Sequence, residues 1–187
     1  MSKLLFLSTA VLGLSSTTLF ADGHTQDYSE SGYFIFNTLL FLIGGFLVMW
    51  MAAGFAMLET GLVRSKNAST QLLKNVALFS LASIAYFIVG FNLMYPGDGW
   101  IINGWMGGFS LTGLEPAGVG ADGVDLTYAS VGSDFFFQLM FCAATASIVS
   151  GTVAERVKLW PFLIFTIVLT GIFYPISASW QWGGGWL

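Results

Sequence analysis

Four long apolar runs dominate this chain, at residues 33–58, 76–95, 135–153 and 159–180. Each run is close to the roughly 20 residues that an α-helix needs to cross a hydrocarbon core of about 30 Å. Charged residues make up only 9% of the 187 residues, against roughly 25% in an average soluble domain. The sequence therefore predicts an all-α, polytopic membrane bundle with four transmembrane helices and with membrane lipid around it.

Composition excludes several classes of function. The net charge is -4 and the few basic residues form no cluster, which excludes nucleic acid as a partner because no run of phosphates could be neutralised. Cys142 is the single cysteine and His24 the single histidine. A thiolate zinc site, an iron–sulfur cluster and bis-histidine haem cannot form within this chain, so we expect no cofactor. Phosphate-loop and nucleophile-elbow motifs are also missing, which indicates that the chain is not an enzyme.

Residues 1–21 have the features of a signal peptide. A short basic start containing Lys3 precedes an apolar run at residues 4–14, and a Ser/Thr-rich stretch leads to Ala21. The run is too short to span a bilayer, so cleavage near Ala21 is predicted, with an uncleaved anchor as the alternative. Whether or not cleavage occurs, the segment at residues 22–30 is expected to lie outside the cytoplasm.

The distribution of basic residues predicts the orientation. Apart from Lys3, all of them fall in two short connections, at residues 64–74 and 156–158. The segments on the opposite side, residues 22–30 and 96–133, contain acidic residues but no Lys or Arg. By the positive-inside rule the basic connections are cytoplasmic, so we expect an inner or plasma membrane protein whose mature N-terminus lies outside. The outer segment 96–133 is predicted to be a loop, with residues 100–114 along the interface.

Three aromatic residues form the candidate site. Phe137 and Phe141 are four residues apart and share one face of the third helix, and Trp182 stands at the outer end of the fourth. Converging ring faces under an acidic outer surface would attract and hold a cation. The alternative is that the two phenylalanines are core and the tryptophan belongs to an aromatic belt. Gln138 is either a structural strut across the bundle or a pore-lining residue.

Two glutamates lie at the predicted inner surface. Glu59 is close in sequence to Arg64 and Lys66, which favours an interfacial ion pair. Glu155 and Arg156 together are typical of a charged pair at a helix end. Neither position by itself indicates a proton relay.

Several longer motifs resemble the ammonium transporter family (Amt/Mep/Rh). The segment AGFAMLETGLVRSKN at residues 53–67 resembles the signature that ends the family's first span. The segments FQLMFCAATA at 137–146, SGTVAER at 150–156, and YPIS with WGGGWL at 174–187 resemble its third and fourth spans in the same order. The resemblance covers essentially all of residues 33–187.

The resemblance implies an eleven-span fold of two related halves, assembled as a homotrimer that transports ammonium or ammonia. This chain would supply the first four spans. Phe137, Phe141 and Trp182 match aromatic residues of the family's outer recruitment site, and Phe141 also matches its outer phenylalanine gate. The family's paired pore histidines and essential aspartate would lie in later spans. The family also implies a cytoplasmic signalling protein of the PII type as a candidate partner.

Two other functions stay open at this point. A four-span subunit could serve only structure or assembly and conduct nothing. A sensor could use the same pore as a receptor coupled to an intracellular signalling domain.

Overall fold

The computed structural model describes residues 25–111 and 128–187. Four of its helical segments are long and apolar enough to cross a membrane, and we term them the first to fourth spans: Gly32–Leu62, Ser65–Met94, Val131–Thr152 and Leu159–Gln181. The expected four-helix membrane bundle is therefore confirmed for the described part of the chain. The predicted signal peptide lies outside the described residues.

Two spans are single helices and two are interrupted. Within residues 25–111 and 128–187 the α-helices in chain order are α1 Thr25–Leu62, α2 Ala68–Ala85, α3 Phe91–Met94, α4 Val131–Thr152, α5 Leu159–Val168 and α6 Tyr174–Gln181. A 3-10 turn, Ser65–Asn67, precedes α2. The second and fourth spans each contain one π-helical turn, Tyr86–Gly90 and Leu169–Phe173.

The third span lies at the centre of the bundle. Small side chains recur along it, and Cys142, Ala143, Ala146 and Ser150 are all fully buried. Small residues allow helix backbones to approach closely, which matters in lipid because no hydrophobic force drives the helices together. The first span packs mainly against this helix.

The π turns lie where the second and fourth spans meet. A Cβ on Gly90 would lie 2.5 Å from the Tyr86 ring and 3.1 Å from both the Pro175 ring and the Thr170 carbonyl oxygen, so a larger residue would force these groups to shift. Pro175 follows directly after the second π turn, in the first turn of α6. Proline lacks the N–H that an α-helical ladder requires, and a local change of helix type accommodates that loss.

A small β-hairpin occupies part of the predicted outer loop. Strand β1, Trp100–Ile102, pairs antiparallel with β2, Met106–Gly107. Gly104 makes the turn with a positive φ of 72°, a conformation that glycine adopts at little cost. The expectation that this part of the segment is a loop was wrong, and the otherwise all-α chain has one two-stranded sheet among its described residues.

Most of the first span is open within this chain. Only 6% of the residues in its most apolar 18-residue stretch are buried. Large side chains such as Phe36, Leu40 and Trp50 are more than half exposed. Such side chains are stable only against lipid or against further protein.

Candidate functional site

Phe137 and Phe141 form the centre of a short chain of aromatic rings. Their ring centroids are 4.9 Å apart in an edge-to-face arrangement, as expected for positions one helical turn apart. Phe41 of the first span contacts Phe137 at 5.1 Å, and Tyr128 contacts Phe41 at 5.5 Å. The ring of Phe137 approaches the first span closely because Gly44 has no side chain, and a Cβ there would be 2.8 Å from the ring.

Phe41 and Tyr128 were not predicted as members of this group. Phe41 is one of many apolar residues in the first span, and nothing in its spacing distinguishes it. Its place depends on how the first and third spans cross, which a single sequence does not reveal. Tyr128 lies just before the third span, in a segment that the sequence indicated only as loop.

Trp182 stands apart from this group of rings. It caps the C-terminal end of α6 and its side chain is 58% exposed, while Phe141 is 39% exposed. Among the residues that the structure describes, Trp182 makes no ring contact with Phe137 or Phe141. The structure thus brings two of the three candidate residues into contact and leaves the third ring open.

Gln138 is buried and bonded across the bundle. Its amide donates to the Tyr95 hydroxyl at 3.3 Å. The Asp134 carboxylate, which is 7% exposed, interacts with both of these side chains. Its Oδ1 atom is buried without a hydrogen-bond partner. The amide has the cross-bundle partner that a strut requires.

Glu59 is the centre of a buried polar cluster at the other end of the third span. Its side chain is 1% exposed. Its Oε2 atom accepts hydrogen bonds from Asn75 at 2.9 Å, from the Ser150 hydroxyl at 2.8 Å, and from Gln71. The Lys74 ammonium lies 4.0 Å from the same oxygen.

The expected interfacial pairing of Glu59 with Arg64 or Lys66 was therefore wrong. Lys74 is its charged partner, and the Lys74 ammonium also donates to the Ser150 carbonyl at 3.1 Å and lies 5.0 Å from the centre of the Phe162 ring. This cluster links four spans. Polar atoms in an apolar interior are costly unless they are bonded. The donors around Oε2 meet this requirement, whereas the Oε1 atom of Glu59 is buried without a hydrogen-bond partner.

Glu155 joins the two basic connections to each other. Its Oε1 accepts from the Asn67 amide at 2.6 Å and from the backbone N–H of Arg64 at 3.0 Å. The Arg64 side chain also lies 3.3 Å away. These hydrogen bonds, that of Asn67 foremost, hold the pKa of Glu155 below its ordinary value. The partner of Glu155 is thus Arg64, whereas the sequence favoured Arg156.

The hairpin docks on the end of the fourth span through three tryptophans. The rings of Trp105 and Trp186 stack with centroids 5.0 Å apart, and Trp180 contacts both, at 5.8 and 5.7 Å. The indole N–H of Trp180 donates to the Trp105 carbonyl at 2.8 Å. The sequence does not predict this contact, because nothing in it pairs the outer segment with the end of the last span.

The described residues contain no group of three or more His, Cys, Asp or Glu side chains that could hold a metal ion. Cys142 is buried and donates to the Thr170 carbonyl at 3.4 Å. A hydrogen-bonded thiol in a sealed interior packs as a small apolar side chain.

Comparison with known proteins places these features in a family context. Residues 39–187 match the Ammonium Transporter Family. The chain is 44% identical over 146 residues to ammonium transporter Amt2 of Archaeoglobus fulgidus, in a match that covers 78% of this chain and 29% of that protein. It is 33% identical over 153 residues to the ammonium transporter of Bacillus subtilis, covering 81% of this chain and 36% of that protein.

A solved structure described as a sensor Amt protein has a similar fold. The two superpose with a TM-score of 0.69 at 30% sequence identity, over 86% of this chain and 38% of that chain. This chain thus spans less than half the length of each of these three relatives.

Proposed function

The chain belongs to the ammonium transporter family, and from this membership we propose that it forms the N-terminal part of a protein that carries ammonium across a membrane. The match over residues 39–187, together with four helices able to cross a bilayer, is the observation that carries the proposal. The proposal covers transfer as the ammonium ion and transfer as ammonia with a separate proton. Transport is an activity of the whole protein, of which these four spans are one part.

Within that protein, Phe137, Phe141 and Trp182 contribute to an outer recruitment site. An ammonium ion that leaves water loses hydrogen bonds, and aromatic faces replace part of that stabilisation through their quadrupoles. The open ring of Trp182 and the partly exposed ring of Phe141 support this role. Acidic residues in the outer segments raise the local concentration of cations before binding.

Phe141 also acts as a gate. Its ring packs edge-to-face on Phe137, which restricts its rotation, while its exposed part faces away from the buried side of the third span. An apolar ring at a constriction interrupts a continuous column of water. Deprotonation of ammonium would depend on the histidines that the family carries in later spans, since the only histidine of this chain, His24, lies before the first span.

Substitution of Trp182 tests the recruitment site in a complete transporter that carries this segment. Trp182→Leu keeps apolar bulk and removes the ring, so it should cost about 0.5 to 2 kcal/mol of ammonium affinity. That corresponds to a rise of about two- to thirtyfold in the ammonium concentration for half-maximal transport. Trp160→Leu is the matched control, because Trp160 is 74% exposed at the other end of the same span.

The two variants should differ at equal amounts of protein in the membrane. If the half-saturating concentration is the same for both, Trp182 is a membrane-interface residue and the recruitment site is refuted. Phe141→Ala tests the gate separately, since an opened constriction should increase leak or reduce selectivity more than it changes affinity.

We also propose that the protein lies in the inner or plasma membrane with its mature N-terminus outside, after a signal peptide at residues 1–21. The contact between the two basic connections through Glu155 supports placing both on one side. A cysteine introduced at Ser110 should then react with an impermeant thiol reagent added outside intact cells, and a cysteine at Lys158 should not. The reverse pattern would invert the topology.

Assembly as a homotrimer, with a PII-type protein at the inner connections, is a further part of the proposal that rests on family membership. The exposed apolar side chains of the first span are available for contact between copies. Native mass measurement of the full-length protein in detergent should give three copies.

A sensor is the second candidate function. The similarity to the sensor Amt protein favours it, because the same ammonium site can report concentration if a signalling domain follows the membrane part. Saturable ammonium transport by the full-length protein supports the transporter. Specific ammonium binding without transport would support the sensor instead.

A further inference from the structure

The geometry points to a clasp of three tryptophans that positions Trp182. The clasp consists of Trp105, Trp180 and Trp186, and we infer that Trp105 and Trp180 are positioning residues for the recruitment site. This inference rests on the proposed role of Trp182 in binding ammonium. It adds residues of the outer segment that have no place in the aromatic pattern read from the sequence.

The clasp begins with a hairpin that is itself anchored. Gly107 leaves no room for a side chain, since a Cβ would lie 2.8 Å from the Leu93 carbonyl oxygen and 2.8 Å from the Pro96 ring. The N–H of Gly108 donates to the Gly99 carbonyl at 2.6 Å. The hairpin is thus seated against the outer end of the second span, so it can serve as a fixed support for whatever it contacts.

The hairpin then holds the fourth span on both sides of Trp182. Two residues before it, the indole N–H of Trp180 donates to the Trp105 carbonyl at 2.8 Å. Four residues after it, the backbone N–H of Trp186 donates to the Gly104 carbonyl at 3.2 Å, and the Trp186 ring stacks on Trp105. Trp182 lies between these two attachments.

The backbone between the attachments is tightly fitted. A Cβ on Gly183 would collide with the Met94 carbonyl oxygen, and a Cβ on Gly185 would lie 2.5 Å from the Cα of Trp180. Both glycine N–H groups donate to the Ser179 carbonyl, at 3.0 and 3.2 Å. The glycines therefore close the chain against the helix end, and the direction in which Trp182 leaves the backbone is set by this packing.

The Trp182 side chain has no comparable support of its own. Its ring is 58% exposed and makes no ring contact with another described residue. A cation–π contact requires the ion within about 6 Å of the ring centre, so a ring that drifts loses affinity. Fixing the backbone on both sides lowers the conformational cost of presenting the ring, which is the general advantage of preorganisation.

The test compares substitutions in a complete transporter that carries this segment. Trp105→Ala removes the stacking on Trp186 and leaves the carbonyl that Trp180 binds, while Trp180→Phe keeps a ring and removes only the indole donor. Each should raise the half-saturating ammonium concentration by about twofold or more, by no more than Trp182→Leu does, with the maximal rate per transporter little changed. Trp105→Phe, which can still stack, should restore a value close to that of the unmodified protein, and Trp160→Ala is the control.

A double substitution separates positioning from a general structural effect. Once Trp182 has been replaced by leucine, adding Trp105→Ala should not raise the half-saturating concentration further, because a positioning residue acts only through the ring it positions. Additive effects of the two substitutions would overturn the clasp. The clasp would also be overturned if Trp105→Ala and Trp180→Phe both behave like Trp160→Ala.

If Trp182→Leu itself has no effect, the proposed recruitment site fails. If only the clasp variants are silent, the recruitment site stands without the clasp. Trp180→Phe keeps the test decisive if Trp105→Ala does not reach the membrane.

Discussion

Removing the carboxylate of Glu59 should destabilise the bundle strongly. The side chain is 1% exposed, and one of its oxygens accepts from Gln71, Asn75 and Ser150 with Lys74 beside it. A hydrogen bond to a charged group contributes about 1.5 to 3 kcal/mol, and part of this offsets the cost of burying the charge. Breaking a buried ion pair by removing one partner costs about 3 to 5 kcal/mol, which is the loss expected for Glu59→Ala.

The measurement is equilibrium unfolding of the purified chain in mixed detergent, monitored through the loss of helicity. Glu59→Gln keeps the shape and removes the charge, so we expect a smaller loss of about 1 to 3 kcal/mol, the cost of buried polar groups that lose a partner. Glu155→Gln is the matched control, because Glu155 has three hydrogen bonds on an exposed surface. If Glu59→Gln is no more destabilising than Glu155→Gln, the buried cluster does not stabilise the fold.

Removing both charges tests whether the pair acts as a unit. Lys74 is 7% exposed, so in Glu59→Gln it becomes a buried cation without its carboxylate. Lys74→Met in the same chain should recover part of the lost stability, because a buried pair can often be replaced by apolar groups at little cost. The expected coupling energy is about 0.5 to 3 kcal/mol. Strictly additive losses would show that the two side chains are independent.

Two further predictions concern other contacts. Gly44→Ala should lower stability and disturb the Phe137 ring, since the new Cβ would be 2.8 Å from it, whereas Gly54→Ala meets open space and should be neutral or stabilising; thermal unfolding in detergent compares them. Because its hydrogen bonds hold the pKa of Glu155 below the ordinary 4.5, its contribution to stability is present above pH 4.5 and is lost as the pH falls through the lowered pKa. The protection of the Asn67 backbone amide, measured as its exchange rate relative to an unstructured peptide at the same pH, should therefore fall at acid pH in the unmodified chain, and an equal fall in Glu155→Gln would refute this.

Hydropathy predicted the helices well where lipid or apolar core surrounds them. The third and fourth spans observed, Val131–Thr152 and Leu159–Gln181, nearly coincide with the runs at 135–153 and 159–180. The second span begins at Ser65, well before the apolar run at residue 76. The difference covers residues 65–75, which include Gln71 and Lys74, and the polar side chains of both face Glu59. A hydropathy average counts them as solvent-exposed and cannot recognise a polar partner inside the bundle.

The outer end was harder to predict for a related reason. Three tryptophans near a membrane surface are typical of an aromatic belt, and composition gives no sign that Trp105 stacks on Trp186. That contact depends on how the second and fourth spans cross at Gly90 and Pro175, because the crossing brings their outer ends together. The spacing of Phe137 and Phe141, by contrast, is fixed by the helix itself, and the expected contact of their rings is confirmed.

Polar bonds at both ends of the third span fix the position of its aromatic face. Near one end, Ser150 donates to Glu59, and near the other, Gln138 donates to Tyr95. Between them the packing is by small apolar side chains, whose contacts change little if a helix slides or rotates slightly. Hydrogen bonds are directional and short, so they restrict such motion much more than apolar contacts do. Phe137 and Phe141 therefore owe part of their register to the polar contacts of Ser150 and Gln138 at the two ends of the same helix.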